Sequence, residues 1–187
     1  MLFRSVGEKQ SPVTSAYLKE ALEQGAKAFG YAEKKKNSGK RNGSKIRAVG
    51  IGQAYHSAGA AGFDGLVRIT PDGVLHIHTG VGNLGTYSYM DTARVAAEVL
   101  GYNWDHCVIE RGGTKANMPW NLGQFGSNTS FTMTRTNYAA GMACKNLLLE
   151  IGAQVMGGTP DDYDLKDEKV VAKSGSGSMT FADAAKK

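Results

Sequence analysis

The sequence predicts an α+β fold in which a layered sheet carries helices packed on it. Two strand-like segments, residues 65–70 and 74–79, flank Pro71-Asp72-Gly73, whose residue types are typical of a hairpin turn. A third strand-like segment, residues 104–111, lies between two segments whose apolar residues recur at helical spacing. Strands that precede helices on one side of a sheet are typical of α+β domains.

Composition is typical of a folded, water-soluble domain. The chain has 187 residues, of which 41% are hydrophobic and 21% charged, enough to form a sizeable core. No run approaches the roughly 18 apolar residues of a membrane-spanning helix. The first residues lack the apolar stretch of a secretory signal. We therefore expect a cytoplasmic protein with no membrane span.

The N-terminal part is predicted to be a helix followed by a linker. Ser11 and Pro12 are expected to open a helix that runs to about Glu33, although Gly25 weakens it. Its apolar positions are Ala16, Leu18, Ala21, Leu22, Ala26 and Phe29. We assign residues 1–45 to this helix and linker, and residues 46–187 to the main domain.

The linker carries much of the formal net charge of +5. Its basic residues are Lys34, Lys35, Lys36, Lys40, Arg41, Lys45 and Arg47. Such a segment can bind nucleic acid or an acidic partner through charge alone. No aromatic residue lies among the basic ones to stack on bases, which argues against nucleic acid. After the linker we expect a strand at residues 46–54 and a loop at residues 57–62.

A glycine-rich turn follows the hairpin and leads into a helix. Gly82 and Gly85 permit a tight backbone, and Thr86 and Ser88 can donate hydroxyl hydrogen bonds. The first amides of a helix have no partner inside it and attract phosphate oxygens. The apolar positions of the helix are Ala93, Val95, Ala96, Val99 and Leu100, and Gly101 is its expected C-cap. The alternative is an ordinary strand-turn-helix whose glycines serve only the turn.

A second turn carries an unusual density of hydroxyl groups. They belong to Ser127, Thr129, Ser130, Thr132, Thr134 and Thr136. Because serine and threonine compete with helical hydrogen bonds, we expect them at the entry to a helix rather than inside it. Ser127 and Thr129 are candidates to hold a pyrophosphate, and the alternative is simple helix capping.

The helix that follows is predicted at residues 138–151. The residues available to face a core are Ala139, Met142, Ala143, Leu147 and Ile151. Near the C-terminus, the acidic residues between Asp161 and Glu168 are interpreted as a solvated loop without the ligand rhythm of a calcium site. Residues 174–178 are interpreted as a flexible connector or hairpin loop, and residues 179–187 as the start of a helix.

No residue is assigned as catalytic or as a metal ligand. His76 and His78 share one strand face but have no evident third ligand, and His106 is interpreted as isolated, as is His56. The two cysteines, Cys107 and Cys144, cannot supply an iron–sulfur cluster or a paired zinc site. We interpret them as buried free thiols, which fits a reducing compartment.

Several motifs together resemble one protein family. Asp72-Gly73, the Gly80–Gly85 turn and the later Gly126-Ser127-Asn128-Thr129 occur in the order found in molybdopterin-binding large subunits of the xanthine dehydrogenase and aldehyde oxidase family. There the first turn reads G-x-x-E-x-G-Q-G and its helix ends A-A-E-x-L-G, as residues 96–101 do here. The resemblance spans residues 49–187 and is densest at residues 67–151.

The resemblance implies a molybdopterin cofactor with molybdenum, in bacteria commonly as its cytosine dinucleotide. The residues that it places against the cofactor are Gly85, Thr86, Tyr87, Gln124, Phe125, Gly126, Ser127 and Thr129. The family hydroxylates aldehydes or N-heterocycles with water-derived oxygen. Its iron–sulfur clusters and flavin would lie on partner subunits or domains, and the remainder of the large subunit would complete the substrate site.

Three departures from the family pattern matter. Thr86-Tyr87 replaces the usual Gln-Gly and Asn83 replaces an acidic residue, which indicates altered cofactor contacts. The family's glutamate base, in a Gly-x-Gly-Glu motif, is not found before Lys187. We therefore expect a fragment of an oxidoreductase subunit, inactive alone. The alternative is a non-catalytic binding or assembly module that keeps the fold without cofactor.

Overall fold

The computed structural model describes residues 17–54, 63–112 and 118–187, together with the backbone of two short strands near the N-terminus. The chain forms two compact units, Met1–Tyr55 and His56–Lys187. These units are defined by the packing within each of them. The domain boundary expected after residue 45 is a separate division and stays a prediction. The loop expected at residues 57–62 and His56 lie outside the described residues.

The first unit contains short strands and two helices. In chain order they are β1 (Ser5–Val6), β2 (Ser11–Pro12), α1 (Leu18–Phe29), α2 (Tyr31–Lys36), β3 (Arg41–Asn42) and β4 (Lys45–Ile46). The strands pair as two antiparallel ribbons, β1 with β2 and β3 with β4.

Two predictions for this unit are wrong. A single helix from Ser11 to Glu33 does not form, because Ser11 pairs in β2 and Gly30, at φ +69°, ends α1 in the left-handed conformation. The strand expected at residues 46–54 is confined to β4, and residues 47–54 have no regular structure. Most of these side chains are exposed, so the segment lacks the buried contacts that stabilise a strand.

The second unit contains the predicted hairpin and a third strand. Its strands β5 (Leu66–Ile69), β6 (Leu75–Thr79) and β7 (Cys107–Arg111) form a sheet in the order β5-β6-β7. The hairpin is confirmed, with β5 and β6 antiparallel and Gly73 at φ +87° in the turn. β7 runs parallel to β6 and is shorter than predicted, because residues 104–106 form a 3₁₀ turn capped by the Asn103 side chain.

Two helices, α3 (Ser88–Leu100) and α4 (Thr134–Met156), pack against each other and line the core. The face predicted for α3 is largely confirmed: Ala93, Ala96 and Leu100 are fully buried. On α4 the predicted face is wrong for Leu147, which is 55% exposed, and for Ala139 and Ala143, which are also exposed. The buried residues of α4 are Asn137, Gly141, Leu148 and Gly152.

Glycines let α4 approach its neighbours closely. A Cβ at Gly141 would lie 3.2 Å from Val99 Cβ, and one at Gly152 would lie 2.7 Å from Val170 Cγ1. Because hydrophobic patterning overlooks glycine and asparagine, it selects the wrong side of this helix.

We expect Gly152→Val to destabilise the second unit by about 1–3 kcal/mol, because Val170 is fully buried and cannot retreat from the added methyl groups. Thermal denaturation followed by circular dichroism measures the effect. The matched control is Gly25→Val in α1, where a Cβ meets nothing within 4 Å. Equal melting temperatures for both variants would contradict this packing.

The C-terminal part is a second antiparallel sheet. Strands β8 (Tyr163–Lys166), β9 (Lys169–Ala172) and β10 (Ser178–Thr180) pair in the order β10-β9-β8, followed by the short helix α5 (Phe181–Ala184). The solvated acidic loop is therefore wrong: Asp164 lies within β8 and Asp167-Glu168 form its turn. Tyr163 and Val170 are buried and stabilise the hairpin, and none of the acidic side chains belongs to that core. Of the two readings of residues 174–178, the hairpin loop is confirmed for residues 174–177, whereas Ser178 already belongs to β10. The helix expected from residue 179 begins at Phe181, because Met179 and Thr180 pair in β10.

The two cysteines are free thiols, as predicted. Both are partly rather than fully buried, and burial raises the pKa of each thiol to about 11. Thiolate is therefore scarce at neutral pH. Within the residues that the structure describes, no helix is both long and apolar enough to cross a membrane.

Candidate functional site

The first glycine-rich turn, which we call loop 1 (residues 80–87), connects β6 to α3. The Asn83 side chain holds its tip, because Asn83 Oδ1 accepts the N–H of Gly85 at 2.9 Å and of Tyr87 at 3.2 Å. Gly85 adopts φ +92°, which glycine allows without a Cβ clash. Loop 1 is thus a preformed turn whose tip is fixed by a side chain of its own.

Loop 1 presents hydroxyl groups at the beginning of α3. Thr86 Oγ1 and Ser88 Oγ are 3.0 Å apart, and Thr86 is exposed. The first amides of a helix have no acceptor one full turn before them, although in α3 the Met90 N–H donates to the Tyr87 carbonyl at 2.9 Å. Together, these donors and the helix dipole form an arrangement that favours an anion.

The second turn, which we call loop 2 (residues 119–128), precedes α4. Gly126 and Ser127 both lie in the left-handed region, at φ +61° and +52°. Asn128, 1% exposed, donates from Nδ2 to the Gly123 carbonyl at 3.5 Å, and its Oδ1 accepts the Thr132 hydroxyl at 3.1 Å. A π-helical turn, Thr129–Met133, then leads into α4. Such turns occur frequently at functional sites.

The structure brings loop 1 and loop 2 side by side. The Gly80 N–H donates to Asn121 Oδ1 at 2.6 Å, and Asn121 Nδ2 donates in turn to the Asp64 carbonyl at 3.2 Å. A Cβ at Gly82 would lie 3.3 Å from Gln124 Oε1. The two turns that the sequence singles out, about 40 positions apart, therefore share one edge of the unit.

Most of the predicted site residues are accessible. The exposed ones are Gly85, Thr86, Tyr87, Phe125 and Ser127, and the half-buried ones are Gln124 and Gly126. Thr129 is 8% exposed, so little of its surface is left for a ligand. The assignment of these residues to a ligand stays a prediction.

The hydroxyl residues lie at the entry to a helix, as expected, but that helix begins before residue 138 and includes several of them. Thr132 lies in the π-helical turn, and Thr134 and Thr136 lie in the first turn of α4. The hydroxyls of Thr132 and Thr136 bond to Asn128 and to the Phe63 carbonyl. Because these hydroxyls bond to a side chain and to the carbonyl of another segment, they do not compete for the backbone carbonyls of the helix itself.

A cation and two aromatic rings lie beside loop 1. The Arg111 guanidinium lies 3.9 Å from the centre of the Tyr89 ring, and the rings of Tyr87 and Tyr89 are 6.0 Å apart. Arg111 was not among the predicted site residues, although it is the last residue of the strand that the sequence predicted at residues 104–111. Arg111 ends a strand parallel to β6 and pairs in register with Thr79, so it lies at the edge from which loop 1 departs.

Tyr87 is held in a conformation that costs energy for a residue with a Cβ, at φ +53°. We expect Tyr87→Gly to be more stable than Tyr87→Ala by about 1 kcal/mol, because both remove the ring and only glycine relieves the backbone. Urea denaturation measures the difference. The control pair is Tyr138→Gly and Tyr138→Ala in α4, where alanine should be the more stable; the same order at both positions would contradict the strain.

Two of the described histidines, His76 and His106, each lie beside a glutamate. His76 Nδ1 lies 2.7 Å from Glu110 Oε1, and burial lowers the pKa of His78, whose Nε2 has no partner among the described residues. His106 is not isolated as predicted, because its Nδ1 lies 2.9 Å from Glu168 Oε1. No group of three or more histidine, cysteine, aspartate or glutamate residues in the described parts of the chain suits a metal ion.

Comparisons with known proteins give a consistent result. The family described as the molybdopterin cofactor-binding domain matches residues 24–187. The aldehyde oxidoreductase molybdenum-binding subunit PaoC of Escherichia coli K12 is 27% identical over 167 residues, which are 88% of this chain and 22% of that protein. The chain thus spans about a fifth of this curated relative's length.

Two solved structures share the fold. Quinoline 2-oxidoreductase from Pseudomonas putida 86 superposes with a TM-score of 0.62 at 17% identity, covering 98% of this chain and 25% of that one. CO dehydrogenase from Oligotropha carboxidovorans gives a TM-score of 0.61 at 19% identity, covering 92% of this chain and 24% of that one. The mixed architecture of helices and small sheets is therefore the one found in these enzymes.

Proposed function

Because the chain belongs to the molybdopterin cofactor-binding domain family, we propose that loop 1 and loop 2 together hold the phosphate groups of its cofactor. The observation that carries this proposal is their juxtaposition through the Gly80–Asn121 hydrogen bond and the Gly82–Gln124 approach. Two turns with exposed hydroxyls suit a ligand that carries two linked phosphates better than one with a single phosphate.

The residues present fit such a group. A Cβ at Gly85 or at Gly126 would meet nothing within 4 Å, so backbone there is open to a ligand. Thr86 and Ser127 offer exposed hydroxyls on the two loops. Arg111, beside loop 1, supplies a positive charge. Gly85, Thr86, Tyr87, Gln124, Phe125, Gly126 and Ser127 are the proposed contacts, and Thr129 supports them from a buried position.

The cofactor, when bound, supplies the metal-centred redox chemistry, and this chain supplies binding and orientation. We propose a dinucleotide form, because its pyrophosphate would occupy both loops at once, and we propose cytosine as its base because that form is common in bacterial members of the family. Tyr87 and Tyr89 offer aromatic rings beside that position. An aromatic surface of this kind is suited to stacking on a planar ring.

The larger protein is proposed to be the molybdenum-binding subunit of an oxidoreductase that hydroxylates aldehydes or N-heterocycles with water-derived oxygen. The names of PaoC and of quinoline 2-oxidoreductase, which describe an aldehyde and an N-heterocycle as substrates, support this range. Iron–sulfur and flavin subunits are the proposed partners, because electrons from such a centre need an acceptor chain. The cytoplasm is the proposed location.

One observation favours the alternative of a non-catalytic binding or assembly module. Asn83 Oδ1 already accepts the N–H groups of Gly85 and Tyr87. Tyr87 also occupies the position at which the family has glycine. In a module that has lost the cofactor, loop 1 would keep these internal bonds and bind no phosphate.

Cytidine diphosphate is a suitable probe for the proposed phosphate site. Isothermal titration of the 187-residue chain should show binding of cytidine diphosphate and weaker binding of cytidine monophosphate, because the second loop then lacks a phosphate. Adenosine diphosphate tests the base: equal binding would support the pyrophosphate site and oppose the cytosine preference. Absence of binding for all three nucleotides would contradict the proposal and favour the alternative module.

A further inference from the structure

Asn137 is a polar residue buried at the contact between α3 and α4. It is 1% exposed, and its Nδ2 donates to the Thr92 carbonyl at 2.9 Å. Its Oδ1 is also buried, and no hydrogen-bond partner for it exists among the described residues. The orientation of the amide is fixed by chemistry, because only the nitrogen can face a carbonyl oxygen.

The Thr92 carbonyl lies close to loop 1 along the chain. Thr92 belongs to the first turns of α3, and its hydroxyl donates to the carbonyl of Ser88, the first residue of that helix, at 2.8 Å. Ser88 directly follows loop 1 and its hydroxyl lies 3.0 Å from that of Thr86. Three hydrogen bonds that share the residues Thr92 and Ser88, though not the same atoms of them, therefore link Asn137 to the hydroxyl groups of loop 1.

Loop 2 is tied to the same helical segment. The Asn128 amide bonds to Gly123 within loop 2 and to Thr132 in the π-helical turn that continues into α4. Asn137 lies in α4, which continues directly from that turn. The helix that anchors loop 2 thus also carries the side chain that anchors loop 1.

The environment of Asn137 is unfavourable for stability. A buried oxygen without a partner forfeits the hydrogen bonds that it would make with water. An apolar residue of similar branching would avoid that loss. A buried asparagine with a half-satisfied amide therefore calls for a role other than stabilising the core.

We propose that Asn137 is a positioning residue: its amide fixes the first turns of α3 to α4 and so holds loop 1 at a set distance from loop 2. The consequence for ligand binding rests on the proposed function, whereas the coupling between Asn137 and loop 1 does not. The residue acts through Thr92 and Ser88.

Hydrogen exchange of the 187-residue chain tests the coupling without any ligand. Asn137→Leu should raise exchange of backbone amides in loop 1 and the first turn of α3 by about tenfold, the change that one ordinary hydrogen bond corresponds to. The melting temperature should stay equal or rise, because the unpaired oxygen is removed. Asn137→Ala is the second variant in case leucine is too large, and Asn146→Leu, at an exposed position on α4, is the matched control.

Unchanged exchange in loop 1 in both Asn137 variants would overturn the inference. So would faster exchange spread evenly over α3 and α4 with a lower melting temperature, since that pattern belongs to a residue that only stabilises the fold. Titration with cytidine diphosphate separates the two proposals. If the wild-type chain binds it, the Asn137 variants should bind it about tenfold more weakly; if the wild type does not, the proposed function fails and exchange alone decides the inference.

Discussion

Gly80→Val is expected to push loop 1 away from loop 2 and to abolish most cofactor binding. A Cβ at Gly80 would lie 2.8 Å from Asn121 Oδ1 and 3.0 Å from the Pro119 carbonyl, so the loops cannot keep their contact. We expect a loss of about 1–3 kcal/mol in the free energy of unfolding. Affinity for cytidine diphosphate should fall by at least about tenfold, because phosphates then meet only one loop at a time.

Asn121→Ala provides the comparison for Gly80→Val. It removes the acceptor of the Gly80 N–H but introduces no bulk, so its effects on stability and affinity should be smaller. The double variant should recover part of the loss, because the Asn121 side chain no longer blocks the valine. Wild-type stability and affinity in Gly80→Val would show that the two loops are not held together as described.

Ser127→Asp is expected to empty the proposed phosphate site while leaving the fold intact. Ser127 is exposed at φ +52°, a conformation that aspartate tolerates better than most residues. A carboxylate there would repel a phosphate, and such like-charge contacts cost several kcal/mol. Cofactor content and nucleotide affinity should therefore fall by about tenfold or more, with a melting temperature close to that of the wild type.

Ser174→Asp is the control for that charge. Ser174 is exposed in the turn between β9 and β10, so the same substitution there changes the net charge equally. Equal loss of affinity in both variants would indicate a general charge effect. Unchanged affinity in Ser127→Asp would remove Ser127 from the proposed contacts.

The sequence predicted the turns and helix faces that neighbouring residues determine. The Pro71-Asp72-Gly73 hairpin and the apolar face of α3 are confirmed, because turn residues and helical spacing determine both. The buried face of α4 was mispredicted, since Gly141 and Gly152 are buried for close approach rather than for hydrophobicity. The hairpin β8–β9 was missed because the acidic residues in β8 and in its turn obscured the alternation of Tyr163 and Leu165 along β8.

The candidate site was predictable as two segments but not as one surface. Glycine and hydroxyl residues marked loop 1 and loop 2 in the sequence. Their contact depends on Asn121, whose side-chain amide bonds to both Gly80 and Asp64. Both residues are far from Asn121 in the sequence, and the periodicity of apolar residues does not predict such contacts. Asn137 was missed for a similar reason, because a polar residue on a helix is expected to face solvent.

Metal and nucleotide analysis of the intact protein, expressed together with its cofactor-maturation machinery, tests the central claim most directly. We predict that the purified protein contains molybdenum together with an equal amount of a releasable cytidine nucleotide, and that Ser127→Asp loses both. A folded, intact protein that contains neither molybdenum nor a nucleotide would contradict it, and loop 1 and loop 2 would then belong to a binding module without cofactor.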